Sequence, residues 1–291
     1  MDERALLELI AADLPPAGDD AAVVDGLVVT TDMLHASTDF PAGTTRYTEG
    51  WRAVAASLSD VAAMGAEAVA TVAAYGAPTL DAEEVRSFVS GAREVSELVG
   101  ATYAGGDLDA HDEFTVATTA VGRTDDPVYR DGAAPGEAVC VTGTLGRTAA
   151  ALRLFEDGHP ERGNELFRFE PRVEAGRAIA PYATAMMDSS DGLARSLHQL
   201  GVASECGFAI DGDSIPVDEA VRDVTEDGAE ALDLATTAGE DFELVFTAPA
   251  DAVAGARASS AVSITRIGSV TDAGIELDGE ALPDSGYSHG G

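Results

Sequence analysis

The acidic residues of this chain that could do chemistry sit where apolar segments end. Gly18-Asp19-Asp20 enters, and Thr30-Thr31-Asp32 leaves, a stretch that reads as two short strands around an Asp25-Gly26 turn, a dipeptide suited to a two-residue hairpin loop. The hairpin predicts Asp20 and Asp32 side by side, and neighbouring carboxylates repel unless a proton or a cation lies between them. We read the pair as a metal-binding element. Asp60 joins it on separate grounds. Trp51–Met64 spells a helix with apolar residues at 51, 54, 55, 58, 61 and 62, and its other face is Ala53, Ala56, Ser57, Asp60 and Ala63. A face of small residues with one acid is not a solvated face in a chain that covers itself with Asp and Glu. Asp60 is therefore either a buried, partnered carboxylate or a metal ligand.

Further acids follow the same habit. The brief strand Thr102–Ala104 runs into Gly105-Gly106-Asp107, where two glycines allow close backbone approach to a ligand, although Gly-Gly-Asp is also a common turn. Ala185–Met187 delivers Asp188, with Ser190 beside it, and Asp191 then stands either as the cap of a helix through Leu200 or as part of the same oxygen-rich cluster. Gly239-Glu240-Asp241 precedes an alternating strand, so Glu240 is a turn residue or a ligand contact. Gly143-Thr144-Leu145-Gly146 ahead of a helix is a phosphate loop or a plain strand-to-helix turn. His35, alone in a loop, reads as a surface or supporting residue rather than a base. Asp211-Gly212-Asp213 opens like a calcium loop, but Ile215 and Arg222 stand where oxygen ligands belong, and we reject it.

Other elements carry structure only. Residues 2–11 predict a short helix stopped by Pro15-Pro16. Asp81–Val99 predicts a helix opened by an Asp81/Glu84 capping box and ended by Gly100, and residues 125–135 a domain boundary carrying Arg130. The 52 acids against 17 bases, all arginine, give a formal charge of −35. With aliphatic content this high the chain is not disordered, and adaptation to molar salt is the economical reading. A charge of that sign leaves no basic stripe for nucleic acid, and the absence of lysine excludes a Walker A loop and the protein-kinase signature set. No apolar run is long enough to span a bilayer and the first residues lack a signal-peptide pattern, so a cytoplasmic location is expected. Cys140 and Cys206 are too few for a disulfide framework, lack metal-ligand spacing and read as ordinary buried thiols.

In their order, Gly18-Asp19-Asp20-Ala21, Thr30-Thr31-Asp32, Leu58–Ala66, Gly105-Gly106-Asp107, Asp188–Leu193 and Gly239-Glu240-Asp241 resemble the thiamine-monophosphate kinases of the aminoimidazole ribonucleotide synthetase-like superfamily. The resemblance runs from about Gly18 to Thr247 and more weakly to the end. It implies an α+β, two-domain fold. Residues 1–134 would form the N-terminal metal-, ATP-binding and dimerisation domain, whose sheet makes a barrel across a homodimer, and residues 135–291 a C-terminal α/β domain. It further implies several Mg²⁺ ions held by Asp20, Thr30, Thr31, Asp32, Asp60, Asp107, Asp188 and Asp191, with Asp32, Asp60, Asp107 and Asp188 central to catalysis. ATP as co-substrate would contact Gly106, Asp107, Arg130 and Ser190, while Asp39 and Glu240 would face thiamine monophosphate. The implied reaction is direct phosphoryl transfer from ATP to the acceptor phosphate. Two positions depart from the family: Asp39 replaces a His found in some members, and the Gly286–Gly290 segment lacks the Phe expected after His289. The competing readings are a purine-biosynthesis synthetase of the same superfamily and a non-catalytic divalent-cation-binding protein.

Overall fold

The computed structural model describes residue 14 and residues 18–286. The expected helix over residues 2–11, its Pro15-Pro16 stop and the Tyr287 region lie outside the described residues. The first half of the chain forms β1 (Ala22–Val24), β2 (Leu27–His35), α1 (Arg46–Ala63), β3 (Glu67–Ala77), α2 (Ala82–Leu98), β4 (Thr102–Ala110) and β5 (Thr115–Arg123). Its five strands make one sheet in the order β1-β2-β5-β3-β4. The second half forms β6 (Ala138–Thr142), α3 (Arg147–Glu156), α4 (Pro160–Phe167), α5 (Val173–Ile179), β7 (Ala185–Asp188), α6 (Leu193–Ser204), β8 (Gly207–Ile210), α7 (Glu219–Val224), α8 (Gly228–Thr237), β9 (Leu244–Ala248), α9 (Val253–Ser259), β10 (Ile264–Thr271), β11 (Ile275–Leu277) and β12 (Glu280–Ala281). These strands make a second sheet, β12-β11-β8-β10-β6-β9-β7. The fold is α+β, with mixed sheets and helices packed on them.

The opening hairpin forms as its turn residues predict. Val24 pairs with Leu27 across Asp25 and Gly26, whose φ angles of 51° and 77° are the left-handed pair that such a loop needs. The paired register ends at Ala22 opposite Val29, so Asp20 and Asp32 are not ladder partners, and the expected side-by-side pair is replaced by a wider convergence described below. β4 also differs from expectation. Gly105-Gly106-Asp107 lies inside that strand, because β4 continues parallel to β3 to Ala110 after a register shift between Thr71 and Val72. Gly105, at φ 129°, absorbs the irregularity where a side chain would be strained.

α1 organises the molecule. It starts at Arg46, five residues before the apolar stripe, because Thr45 caps it by accepting the Thr48 N–H. Fourteen of its 18 residues are buried, so it is wrapped on every side rather than floated on a surface. On one side it crosses α2 at very close range: a Cβ on Gly50 would lie 2.1 Å from the Phe88 carbonyl oxygen, and one on Gly91 2.0 Å from that of Tyr47. On the other it meets the second half of the chain through Arg52 and Ser59. Asp81 caps α2 by accepting from the N–H groups of Glu83 and Glu84, while the Glu84 carboxylate meets Arg46 Nε at 3.4 Å, so only the Asp81 half of the expected box is seen. Cys140 is buried, Cys206 is half-buried, and both are free thiols.

Candidate functional site

Three segments distant in sequence bring one carboxylate each to a single point where the two halves of the chain meet. Asp20 arrives before β1, Asp60 from the last turns of α1 and Asp188 from the end of β7, and their nearest oxygens lie within 4.8 Å of one another. Each acid is fixed by a neighbour. The Thr30 hydroxyl donates to Asp60, Ser59 Oγ donates to Asp188 Oδ2 at 2.5 Å, and the Ser190 N–H reaches Asp188 Oδ1 at 3.1 Å. Arg130 grips Asp20 through Nη2 and Nε at 2.8 and 3.3 Å, while its backbone N–H takes Asp19. Asp32 stands beside this group on the same face of β2 as Thr30, held by Ser57 Oγ at 2.5 Å. Ser57 in turn meets Thr118 at 2.8 Å, so the acid's orientation is set from α1 and β5 together.

The electrostatics are those of acids short of countercharge. Burial pushes the Asp188 carboxyl up to about 7, with Asp20 adding to the rise against the pull of Ser59 and Ser190. Asp60 is raised well above the usual carboxylate range by burial and then by Asp32, Asp188 and Asp20. Asp19 is raised to about 6 by burial and by Asp20. Burial opposes the charge of Arg130, but the Asp20 carboxylate more than offsets it and holds the guanidinium above its ordinary value. A carboxyl raised in the folded state keeps a proton that the unfolded chain releases near pH 4, so it lowers stability as pH rises from about 4 to about 7. Metal-free protein at fixed high salt is therefore expected to melt higher at pH 5.5 than at pH 8. Excess Mg²⁺ should flatten that slope by raising the midpoint chiefly at pH 8. Calorimetry in EDTA and in Mg²⁺ checks this, and a metal-free midpoint that climbs between those two pH values contradicts it.

The second feature is the turn before β9. Glu240 and Phe242 both adopt left-handed backbone, at φ 67° and 55°, and three buried groups hold them there. Arg52, 1% exposed, donates to Glu240 Oε2 at 3.0 Å and to its carbonyl at 3.1 Å, while Thr148 Oγ1 donates to the same carbonyl at 2.7 Å. Asp241 reaches back to the start of α3 and accepts from the N–H groups of Gly146 and Thr148. Burial raises its carboxyl to about 7 even so. Glu243 takes a two-pronged contact from Arg172 at 2.6 and 2.8 Å and a hydroxyl from Thr142. The Gly143–Gly146 loop is thus a strand-to-helix turn whose helix N-terminus is already served by Asp241.

The remaining expected residues fall in three places. Ser190 and Asp191 follow Asp188, but Asp191 does not cap α6: the cap position is Gly192, and Gln199 Nε2 lies 3.3 Å from the Asp191 carboxylate. Thr31 is turned away from the cluster by the two-residue period of β2, and its hydroxyl donates to the Thr118 carbonyl. Gly106 and Asp107 lie on the exposed edge strand, in the cross-strand rows of Asp32 and Met33. That is three strand spacings, roughly 14 Å, from β2. Asp39 is buried in its own loop, accepting from the His35 N–H at 2.6 Å and the Thr38 hydroxyl at 2.8 Å. His35 itself is half-buried, with Nδ1 3.0 Å from Thr115 Oγ1. The residues not foreseen as functional are Arg52, Ser59, Asp241 and Glu243. Arg52 and Ser59 had a legible signal, since with Ala56 and Asp60 they recur at helical spacing along one stripe of α1.

Two domains of this build, with an acidic cluster at their junction, are those of the AIR synthase related proteins, whose N-terminal domain pattern matches residues 18–124 and C-terminal domain pattern residues 134–278. The thiamine-monophosphate kinase of Halobacterium salinarum is 58% identical over 291 residues, covering 99% of this chain and 100% of that protein. The crystal structure of the thiamine-monophosphate kinase from Stenotrophomonas maltophilia superposes with a TM-score of 0.82 at 31% identity, covering 95% of this chain and 96% of that one. AaThiL complexed with AMPPCP and TMP gives 0.90 at 28%, covering 99% and 97%. The chain belongs to the thiamine-monophosphate kinase family of AIR synthase related proteins.

Proposed function

We propose that the chain transfers a phosphoryl group from ATP to the phosphate of thiamine monophosphate, giving thiamine diphosphate and ADP. The observation that carries this reading is the convergence of Asp20, Asp60 and Asp188 within 4.8 Å, in a family whose members bear that activity in their names. The donor set suits Mg²⁺: hard carboxylate oxygens, mutually repelling and already oriented by Thr30, Ser59 and Ser190. Bound there, Mg²⁺ would neutralise and orient the phosphoryl oxygens of two anionic reactants. The chain's own residues do the rest. Arg130, now paired with Asp20, is the guanidinium we assign to the nucleotide's phosphates, and Asp32 adds a carboxylate beside the cluster. Glu240, held rigid by Arg52 and Thr148, is the residue we assign to the thiamine phosphate, with the Asp39 loop as a second wall. Asp191 and Thr31 would serve the ions through more distant contacts or backbone oxygens.

The same reading includes a homodimer. Val29, Met33, Val69 and Val72 are exposed on the first sheet, and an apolar sheet face of that kind calls for a cover. A second copy closing the sheet into a barrel supplies one. It would also bring Asp107 and Gly106 from an exposed edge to the acidic cluster of the other subunit. The junction near residue 134 divides this dimerising half from the C-terminal half. Among the described residues no helix is long and apolar enough to cross a membrane, and we place the activity in the cytoplasm. Thermal melting separates a kinase from a mere ion binder. A non-hydrolysable ATP analogue with Mg²⁺ should raise the midpoint further than Mg²⁺ alone, by mass action on the folded state. No added stabilisation at saturating nucleotide would reduce the site to cation binding.

A further inference from the structure

A cavity of about 390 Å³ lies at the seam between the two halves of the chain, lined by Trp51, Leu98, Phe169 and three arginines, Arg147, Arg168 and Arg172. It is separate from the acidic cluster. Trp51 and Asp60 both project from α1 but stand nine residues apart, about two and a half turns, which puts them on opposite faces of the helix. In a chain with 52 acids against 17 arginines, guanidiniums gathered in one cavity should meet carboxylates. Arg172 does: Glu243 takes both its prongs, and Glu170 adds its field. Arg147 and Arg168 do not. Arg147 gives Nε to the Leu166 carbonyl at 3.2 Å and Nη2 to that of Glu165 at 3.5 Å, Arg168 gives Nε to the Asn164 carbonyl at 3.2 Å, and no carboxylate among the described residues pairs with either. Those carbonyls follow one another along the last turns of α4, so the two side chains are moored at one helix end. Closing that end accounts for part of each guanidinium and leaves its other N–H groups unengaged. The remaining acids of the lining are committed elsewhere. Asp218 accepts from the Thr144 hydroxyl and the Ala220 N–H, and Asp241 from the N–H groups of Gly146 and Thr148. Two like charges held at one helix end repel, and an anion between them removes that burden.

We propose that this cavity is a second ligand site, in which Arg147 and Arg168 hold a phosphate-class anion. Planar guanidiniums match phosphate oxygens in pairs, and the side formed by Trp51, Leu98 and Phe169 offers apolar surface and room for an organic group carried on the phosphate. Thr148 and Asp241, which line the same cavity, also brace the turn that carries Glu240. An anion seated here therefore borders that turn from behind. The site uses no metal, and it stands or falls separately from the kinase reading.

Trp51 is the one tryptophan of the chain, so its emission reports on this cavity. The full chain is titrated with inorganic pyrophosphate in one arm and thiamine diphosphate in the other, at fixed KCl and in EDTA, which withholds the metal that phosphates need at the acidic cluster. A saturable change of emission is expected. Tighter binding of pyrophosphate marks a site for the free anion, and tighter binding of thiamine diphosphate a site for an organic phosphate. Arg147→Gln and Arg168→Gln should each weaken the anion roughly tenfold, the loss of one charge-assisted contact. Leu98→Glu, at an exposed position of the lining, should weaken it by repulsion with both guanidiniums in place. Arg266→Gln, an exposed position on β10 outside the lining, should bind as the parent does. Melting midpoints show which variants are folded, and if an arginine variant is not, Leu98→Glu decides. No saturable change with either probe in the parent overturns the proposal, as does a change that the folded cavity variants keep in full, or an equal loss in Arg266→Gln.

Discussion

Asp60→Asn is expected to lower phosphoryl transfer by on the order of 100-fold or more while leaving the metal-free fold as stable as before, or more so. The substitution keeps the volume of the side chain and its bond to Thr30, and removes the negative charge. In the metal-free protein that charge is a burden, because burial and the neighbouring Asp32, Asp188 and Asp20 all disfavour it. On the proposed function, the same charge is what holds Mg²⁺ in the working enzyme. Opposite signs on stability and activity follow from one carboxylate. Denaturation of both proteins in EDTA, beside a rate measurement, checks the pair. A purely structural Asp60, partnered by a cation, would give the reverse: roughly 3 kcal/mol or more of lost metal-free stability with Mg²⁺ affinity intact.

Arg52→Met is expected to destabilise the chain by about 3–5 kcal/mol, the largest single loss foreseen from the buried groups described here. Arg52 donates to the Phe167 carbonyl at 2.6 Å and to Glu240 through both its carboxylate and its carbonyl. Its guanidinium also lies 3.7 Å over the Phe167 ring. Methionine fills the space but strands a largely buried carboxylate and the Phe167 carbonyl, the Glu240 carbonyl keeping its bond from Thr148. Adding Glu240→Gln should recover part of the loss, since the unpaired charge is then gone. Arg52→Lys should not restore the parent stability, because one ammonium cannot serve that planar set of acceptors. Chemical denaturation measures all three, and a loss below about 1 kcal/mol for the single variant would mean that the turn is held by other contacts.

How much of this was legible in sequence depends on the range of the interactions. The Asp25-Gly26 hairpin and the Asp81 cap are local, set by residues within a few positions of one another, and both form as read. The β4 strand was read too short because Gly105 and Gly106 carry no β propensity of their own; pairing with β3 extends it through them, a tertiary effect. Asp20 and Asp32 were read as neighbours from hairpin geometry alone, whereas the partners of Asp20 come from α1, β7 and the Arg130 segment. The small face of α1 did reveal that Asp60 is enclosed. It could not reveal that Ser57 serves Asp32 and Ser59 serves Asp188, since those acids lie 25 and 129 residues away. Asp241 is the plainest case of the limit: a helix cap contributed from 93 residues downstream leaves no trace in the sequence around the helix it caps.

On the proposed function, these acids assemble a site for phosphoryl transfer to an acceptor that already bears a phosphate. The most direct measurement is turnover of purified chain with ATP, Mg²⁺ and either thiamine monophosphate or free thiamine in molar salt, with products separated by chromatography. We predict thiamine diphosphate and ADP in equal amounts from the monophosphate, dependent on Mg²⁺, with free thiamine a poor acceptor. Phosphorylation of thiamine with the monophosphate left untouched would contradict the account.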